Sequence, residues 1–238
     1  MARRQLAVSF TAVPSACEYL PDQLWQLRYE IRPDIRPEEY MERLRCGWRR
    51  FGPVLFRPAC PSCRMCRSLR VPVALFKPTA GQRRVWRSNH QEVTFRIGRP
   101  SMTGEKQALL DRFHRDGERR KGWPKEHGAD LALLVENPFP TEEWRYYAGD
   151  RLIGLGYVDA LPEGLSAIYF AYDPEQRRRS LGTFNILALI ASAAARGLPH
   201  VYLGYYVEGY RSLAYKVRFR PNEILHPDGR WVSFVTAP

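Results

Sequence analysis

Asp173-Pro174-Glu175-Gln176-Arg177-Arg178-Arg179-Ser180-Leu181-Gly182 is the stretch on which the architecture turns. Before it, Trp144–Ala148, Leu152–Leu161 and Ser166–Tyr172 read as three strands. Gly149-Asp150 and Pro162-Glu163-Gly164 are their turns, so the three form an antiparallel meander. After it, a long apolar helix runs from Thr183 to about Arg196, with Ile186, Leu187, Ile190 and Ala193/Ala194 on one face and Gly197 closing its end. Val201–Val207 is a further strand, followed by a helix around Tyr210–Val217 and a final strand near Trp231.

Meander, basic glycine-containing loop, helix, strand, helix, strand is the order of the GNAT acyltransferase core. In such a core the backbone N–H groups at the helix start meet a phosphate-bearing acyl carrier. Here the loop has three consecutive arginines and one glycine, short of the usual acetyl-CoA loop, which leaves a different phosphorylated acyl donor open. The expected class is α/β (α+β), with this core in residues 101–238 and a smaller, basic, cysteine-containing domain in residues 1–100.

The first hundred residues hold 19 basic and 8 acidic side chains, and the remaining 138 are almost balanced. A net charge of +12 concentrated in this way draws polyanions. Residues 37–50 and 79–90 read as helices, with Val54–Phe56 and Leu69–Phe76 as strands. The second helix places Arg83, Arg84 and Arg87 on one face beside Trp86, a pattern suited to RNA phosphates and base stacking, though also to a plain solvated face. Gln91–Ile97 and Leu131–Val135 read as strands, and residues 103–120 as a helix. No window approaches 18 uncharged apolar residues, so no membrane partner is expected. Residues 1–17 read as a cytosolic arm, and the expected location is the cytoplasm.

The five cysteines are Cys17, Cys46, Cys60, Cys63 and Cys66. An odd, unevenly spaced set fits a reducing compartment. Cys60-Pro-Ser-Cys63-Arg-Met-Cys66 is two overlapping C-x-x-C units, a spacing that lets a turn aim thiolates at one metal, with Cys17 as a fourth ligand. A small apolar turn with free thiols is the equal alternative.

Several motifs together resemble the arginyl/leucyl-tRNA–protein transferases of the N-end rule. They are Cys17-Glu18-Tyr19-Leu20-Pro21, Gly47-Trp48-Arg49-Arg50-Phe51-Gly52 with Leu55-Phe56-Arg57-Pro58, and the cysteine cluster leading into Ser68-Leu69-Arg70-Val71. They continue with Tyr169-Phe170-Ala171-Tyr172-Asp173-Pro174, Ser180-Leu181-Gly182, Tyr202-Leu203-Gly204-Tyr205-Tyr206, and Tyr215-Lys216 with Phe219-Arg220-Pro221. The match covers roughly residues 15–225. It looks closest to the bacterial branch, the aspartate/glutamate leucyltransferases. That branch implies transfer of leucine from Leu-tRNA to the α-amine of proteins beginning with Asp or Glu, marking them for degradation, with no cofactor required for the chemistry. An arginyl-transferring relative and an acetyl-CoA-dependent acetyltransferase are the alternatives. The eukaryotic branch has a second N-terminal cysteine where Leu20 stands here, which sets this chain apart from its iron–sulfur pattern. A structural zinc or a cluster on Cys17, Cys60, Cys63 and Cys66 stays open.

An ester on a tRNA 3′ end meeting a protein amine demands position and oxyanion donors more than a strong base. Asp173 is expected either to hold the substrate ammonium or take its proton, or to cap a helix before Pro174. Tyr205 and Tyr206 point to opposite sheet faces, one toward core and one toward the site. Arg177, Arg178 and Arg179, with the N–H groups of Ser180, Leu181 and Gly182, are expected on the 3′ phosphates. Tyr215 and Lys216 are expected on the terminal adenosine or at the surface. Arg70, Arg218 and Arg220 are the candidates for reading the acidic N-terminal residue. The five histidines are expected in ordinary structural or surface roles.

Overall fold

The computed structural model describes residues 7–121 and 128–234, without the side chains of 119–131 and Arg211. The first strands are short: β1 (Val8–Thr11), β2 (Ser15–Ala16), β3 (Leu24–Trp25) and β4 (Leu27–Ile31). Helix α1 (Pro37–Arg45) starts on a proline with Glu38 and Glu39 in its first turn, where acidic charge suits the helix dipole. It ends at Arg45, and Arg49–Phe51 is strand β5 rather than the helix's last turn. After β5 come β6 (Val54–Pro58), β7 (Arg67–Pro72), α2 (Ala80–His90), β8 (Val93–Gly98) and α3 (Gly104–Lys121). Residues Gly128–Val135 form helix α4, not the strand expected over 131–135. A five-residue apolar run cannot by itself distinguish the two, and here Leu134 is buried against Leu109 and Leu110 of α3.

The meander is β9 (Thr141–Ala148), β10 (Arg151–Leu161) and β11 (Gly164–Tyr172), followed by a 3₁₀ turn over Pro174–Arg179 and α5 (Leu181–Ala195). Strand β12 (His200–Tyr206), α6 (Arg211–Ala214), a 3₁₀ turn over Tyr215–Arg218, β13 (Glu223–Leu225) and β14 (Trp231–Ser233) complete the chain.

One eight-stranded sheet runs in the order β14-β13-β7-β12-β11-β10-β9-β8. Strands β7 and β8 both precede residue 100, so the hydrogen-bonded sheet crosses the boundary drawn there from charge alone. The four-stranded sheet β1-β4-β6-β5 stands apart from it. Helix α5 is apolar nearly all round, and it is buried accordingly: Leu181, Phe184, Ile186, Leu187, Leu189 and Ile190 lie in the main core with Trp144, Tyr146 and Val201. Helix α2 packs beside it, and α3 packs on β10 and β11.

The two sheets are joined by an arginine pair. Arg50 Nε donates to Asp159 Oδ2 at 2.6 Å and Nη2 donates to Thr141 Oγ1 at 2.6 Å. Both members of the Arg50–Asp159 ion pair have fully buried side chains, and the guanidinium lies 4.6 Å from the Phe139 ring centroid. Asp159→Ala would leave that guanidinium buried without its carboxylate. It is expected to cost about 3–5 kcal/mol of stability in urea unfolding; a loss below about 1 kcal/mol would show that the pair does not hold the sheets together.

Candidate active site

Among the paired strands described, β11 and β12 form the one parallel pair, with α5 as the crossover between them. Their ladder lasts three residues, Gly164–Ser166 against His200–Tyr202, and then the strands part. Arg49 fills the fork. Its Nη1 donates to Ser166 Oγ at 2.9 Å and its Nη2 donates to the Ala167 carbonyl. Across the fork, Gly204 has φ +82°, and a Cβ there would come 3.4 Å from Arg49 Nε. Glycine serves both the left-handed backbone and the close approach.

Beyond the fork opens a cavity of about 840 Å³. Ala167, Ile168, Tyr169 and Phe170 of β11 line it together with Phe113 of α3, Ile186 of α5 and Leu203 of β12. Gly182, Asn185, Tyr215 and Lys216 complete the wall. Gly182 stands at the start of α5 with open space where a side chain would be, and the first N–H groups of a helix have no acceptor within it. The preceding Ser180 has φ 53° and makes no side-chain cap bond, so the chain enters the helix through a backbone shape that few non-glycine residues adopt.

A second cavity of about 640 Å³ lies outside the 3₁₀ turn. Arg112, Arg115, Arg177 and Arg178 line it with Asp116, Asp173 and Glu175. Asp116 and Arg177 belong to both cavities, and their ion pair of 3.3 Å marks the seam.

The expected residues distribute as follows. Asp173 is fully buried and engaged: its Oδ1 accepts the Glu175 N–H at 3.0 Å, and its Oδ2 pairs with Arg151 at 2.5 Å and Arg112 at 3.6 Å. It caps the turn, as the helix-start reading had it, and lines the arginine cavity. Tyr206 is core, packed on Phe234 and beneath the Arg67 guanidinium. Tyr205 faces the other way, its hydroxyl donating to the Gly47 carbonyl at 2.9 Å. The two tyrosines do take opposite faces, but neither lines the large cavity, where β12 contributes Leu203 instead.

Of the three loop arginines, Arg177 and Arg178 line the arginine cavity, whereas Arg179 turns to Glu92 at 2.6 Å. Arg179's carbonyl accepts from the buried Asn89 of α2 at 2.9 Å, which fastens the turn. Arg70 is spent on Glu223 at 2.7 Å and on the Trp231 ring at 4.3 Å. Arg218 and Arg220 are exposed and line neither cavity. The cations that do line the large cavity are Arg177 and Lys216. Arg83, Arg84 and Arg87 are exposed on α2, and Arg83 and Arg87 rim an apolar groove between α2 and α5.

Lys216 is half-buried, and its Nζ donates to the Tyr205 carbonyl at 2.9 Å. Burial first, and the Arg49 guanidinium second, push its ammonium down to about 7. Two polar pairs were missed in the sequence. Asn185, the lone amide inside the run Phe184–Ile190, accepts the Tyr146 hydroxyl at 2.7 Å. His114, expected in a routine role, lies 2.6 Å from the Tyr169 hydroxyl on the cavity wall.

Cys17, Cys60, Cys63 and Cys66 all line one small cavity of about 40 Å³ with Tyr19, Phe56 and Tyr205, while Cys46 is exposed elsewhere. Burial and the three neighbouring thiols raise the Cys66 thiol to about 12. Four sulfurs are a donor set that thiophilic metals prefer. All five cysteines are free thiols, and among the described residues no three His, Cys, Asp or Glu are grouped to share an ion.

Family descriptions match both parts of this arrangement: "Arginine-tRNA-protein transferase, N terminus" over residues 15–84, and "Arginine-tRNA-protein transferase, C terminus" over residues 105–226. The chain belongs to the arginine-tRNA-protein transferase family. Transferases of this family similar to it include the aspartate/glutamate leucyltransferase of Marinobacter nauticus, 36% identical over 244 residues spanning 99% of this chain and 100% of that one. The aspartate/glutamate leucyltransferase of Brucella melitensis is 36% identical over 242 residues, spanning 94% and 95%. Among solved structures, FemX superposes with a TM-score of 0.52 at 8% identity, covering 90% of this chain and 84% of that one. That likeness concerns the fold alone. No helix among the described residues is long and apolar enough to cross a membrane.

Asparagine caps as well as aspartate. Asp173→Asn is therefore expected to keep specific activity within about 3-fold, whereas Asp173→Ala loses roughly 1–2 kcal/mol of stability. Paired melting and activity curves check this; a folded, inactive Asp173→Asn would return the carboxylate to the chemistry.

Proposed function

We propose that this transferase moves leucine from Leu-tRNA to the α-amine of proteins beginning with Asp or Glu, and that the cavity at the β11–β12 fork is where ester and amine meet. The supporting observation is the juxtaposition there of an apolar wall, the open start of α5 and a lysine titrating near neutrality. The wall formed by Phe113, Ile168, Phe170, Ile186 and Leu203 suits a leucyl side chain. An arginyl side chain would need a carboxylate, and the one lining this space, Asp116, is paired with Arg177.

The arginine cavity and the first N–H groups of α5 take the phosphates at the tRNA 3′ end. The exposed arginines of α2 extend the same positive field toward the body of the RNA.

An α-amine titrates near 8 and Lys216 near 7, so proton exchange between them is nearly balanced. The neutral amine nitrogen attacks the ester carbonyl carbon, a C–N bond forms, and the C–O bond to the ribose breaks. Lys216 Nζ takes the proton from the nitrogen and returns it to the departing ribose oxygen. Its hydrogen bond to the Tyr205 carbonyl leaves the nitrogen lone pair free for this.

With labelled Leu-tRNA, peptides starting with Asp or Glu are expected to gain leucine and a peptide starting with Ala is not. Labelling from Arg-tRNA in preference to Leu-tRNA would overturn the choice of amino acid. For wild type, kcat/KM is expected to rise with pH through about 7 as Lys216 loses its proton. Lys216→Met is expected to reduce transfer about 100-fold or more. The folded chain holds this amine at about 7 against an ordinary 10.5. Between those values the unfolded chain carries the extra proton, and stability climbs with pH. Lys216→Met should accordingly raise Tm most below pH 7, with the gain fading toward pH 10.5. A variant that is less stable at pH 6 than wild type would contradict that assignment.

A further inference from the structure

Helix α5 carries a buried polar group that neither packing nor binding of phosphate explains. Asn185 is 4% exposed in a helix whose neighbouring positions are Phe184, Ile186, Leu187 and Leu189. A buried amide among apolar side chains costs free energy unless its groups find partners. One partner is built in: the Tyr146 hydroxyl donates to Asn185 Oδ1 at 2.7 Å. Tyr146 is fully buried in the β9 strand, and that burial keeps its hydroxyl protonated.

In this bond Oδ1 is the accepting end. With Oδ1 taken, the part left over is Nδ2 with its two hydrogens, a pure donor. Asn185 lines the large cavity, and among the described residues no acceptor takes those hydrogens. A donor cannot hold an ammonium, so what it meets is an acceptor oxygen. Gly156 of β10 keeps the room: a Cβ there would come 3.4 Å from both Asn185 Oδ1 and Phe170 Cδ2. Along α5, Asn185 is three residues past Gly182, on the same side and also on the cavity wall.

We infer that Asn185 donates Nδ2–H to the carbonyl oxygen of the aminoacyl ester and to the oxyanion it becomes, with Tyr146 as the residue that positions it. This rests on the transfer reaction proposed above. As the amine attacks, the carbonyl π electrons move onto that oxygen. A donor fixed before the reaction stabilises the developing charge without reorganising. Tyr146 touches no substrate; it acts by engaging Oδ1, which leaves Nδ2 for the cavity.

The experiment compares wild type, Asn185→Ala, Asn185→Asp and Tyr146→Phe in steady-state transfer from Leu-tRNA to a peptide starting with Asp, alongside thermal melts. Asn185→Ala is expected to lower kcat about 10²–10³-fold with KM for both substrates within about 3-fold. Asn185→Asp, which sets a carboxylate against the oxyanion, should be at least as slow. Tyr146→Phe should lower kcat roughly 10-fold, with KM unchanged and Tm nearly so. An Asn185→Ala kcat within 3-fold of wild type, or an effect confined to KM, overturns the inference. If neither Asn185 variant folds, Tyr146→Phe decides, and an unchanged kcat in it overturns the inference as well. Wild type that transfers no leucine would instead sink the reaction itself, so the two failures are told apart.

Discussion

The parting of β11 and β12 after three paired residues is the constraint from which the rest follows. Two parallel strands that stayed paired would leave no space at the start of the crossover helix. The backbone groups freed at the fork need partners if they are buried. Arg49 meets that need at the Ala167 carbonyl, also donates to the Ser166 hydroxyl, and keeps the fork propped open. Because the same guanidinium also holds down the proton affinity of Lys216, the device that shapes the cavity also tunes its amine.

The flanking elements each steady one wall of that opening. Asn89 of α2 holds the turn through the Arg179 carbonyl. On the far side, the buried Lys106–Glu143 pair at 2.7 Å ties α3 to β9, so that Phe113 and Asp116 reach the cavity from a fixed helix. The thiol-lined space lies behind β12. Tyr205 stands between the two, its ring toward the sulfurs and its carbonyl toward Lys216. One strand thus separates a sulfur-rich interior from the proposed reaction space.

The order of elements in the second half could be read from turns and periodicity alone, since the meander, the arginine loop and the apolar helix each carry strong local signals. The convergence of Cys60, Cys63 and Cys66 was likewise readable from spacing, with Cys17 offered as a fourth. What could not be read was direction. Arg49 and Arg50 add to the basic excess of the first hundred residues, yet both are buried and engaged within the fold. Nothing local distinguishes them from the exposed Arg83 and Arg84. Tyr205 and Tyr206 sit next to a glycine whose left-handed backbone redirects the strand, and periodicity does not report such a turn. Asp173 was ambiguous because a carboxylate before proline caps a turn by the same chemistry that would grip an amine. Only the positions of Arg151 and Arg112 resolve it. Asn185 carried a signal, a lone amide in an apolar helix, but its orienting partner Tyr146 is 39 residues away.

The Arg49 and Arg50 bonds have a consequence in time. Their partners lie 117 and 109 residues further along the chain. A ribosome adding 5–20 residues per second reaches them roughly 5–20 s after the arginines are made. Until then the Arg50 guanidinium lacks its carboxylate and the Arg49 guanidinium its acceptors, and a guanidinium without partners does not enter an apolar interior. Neither arginine can take its buried place before the meander is made.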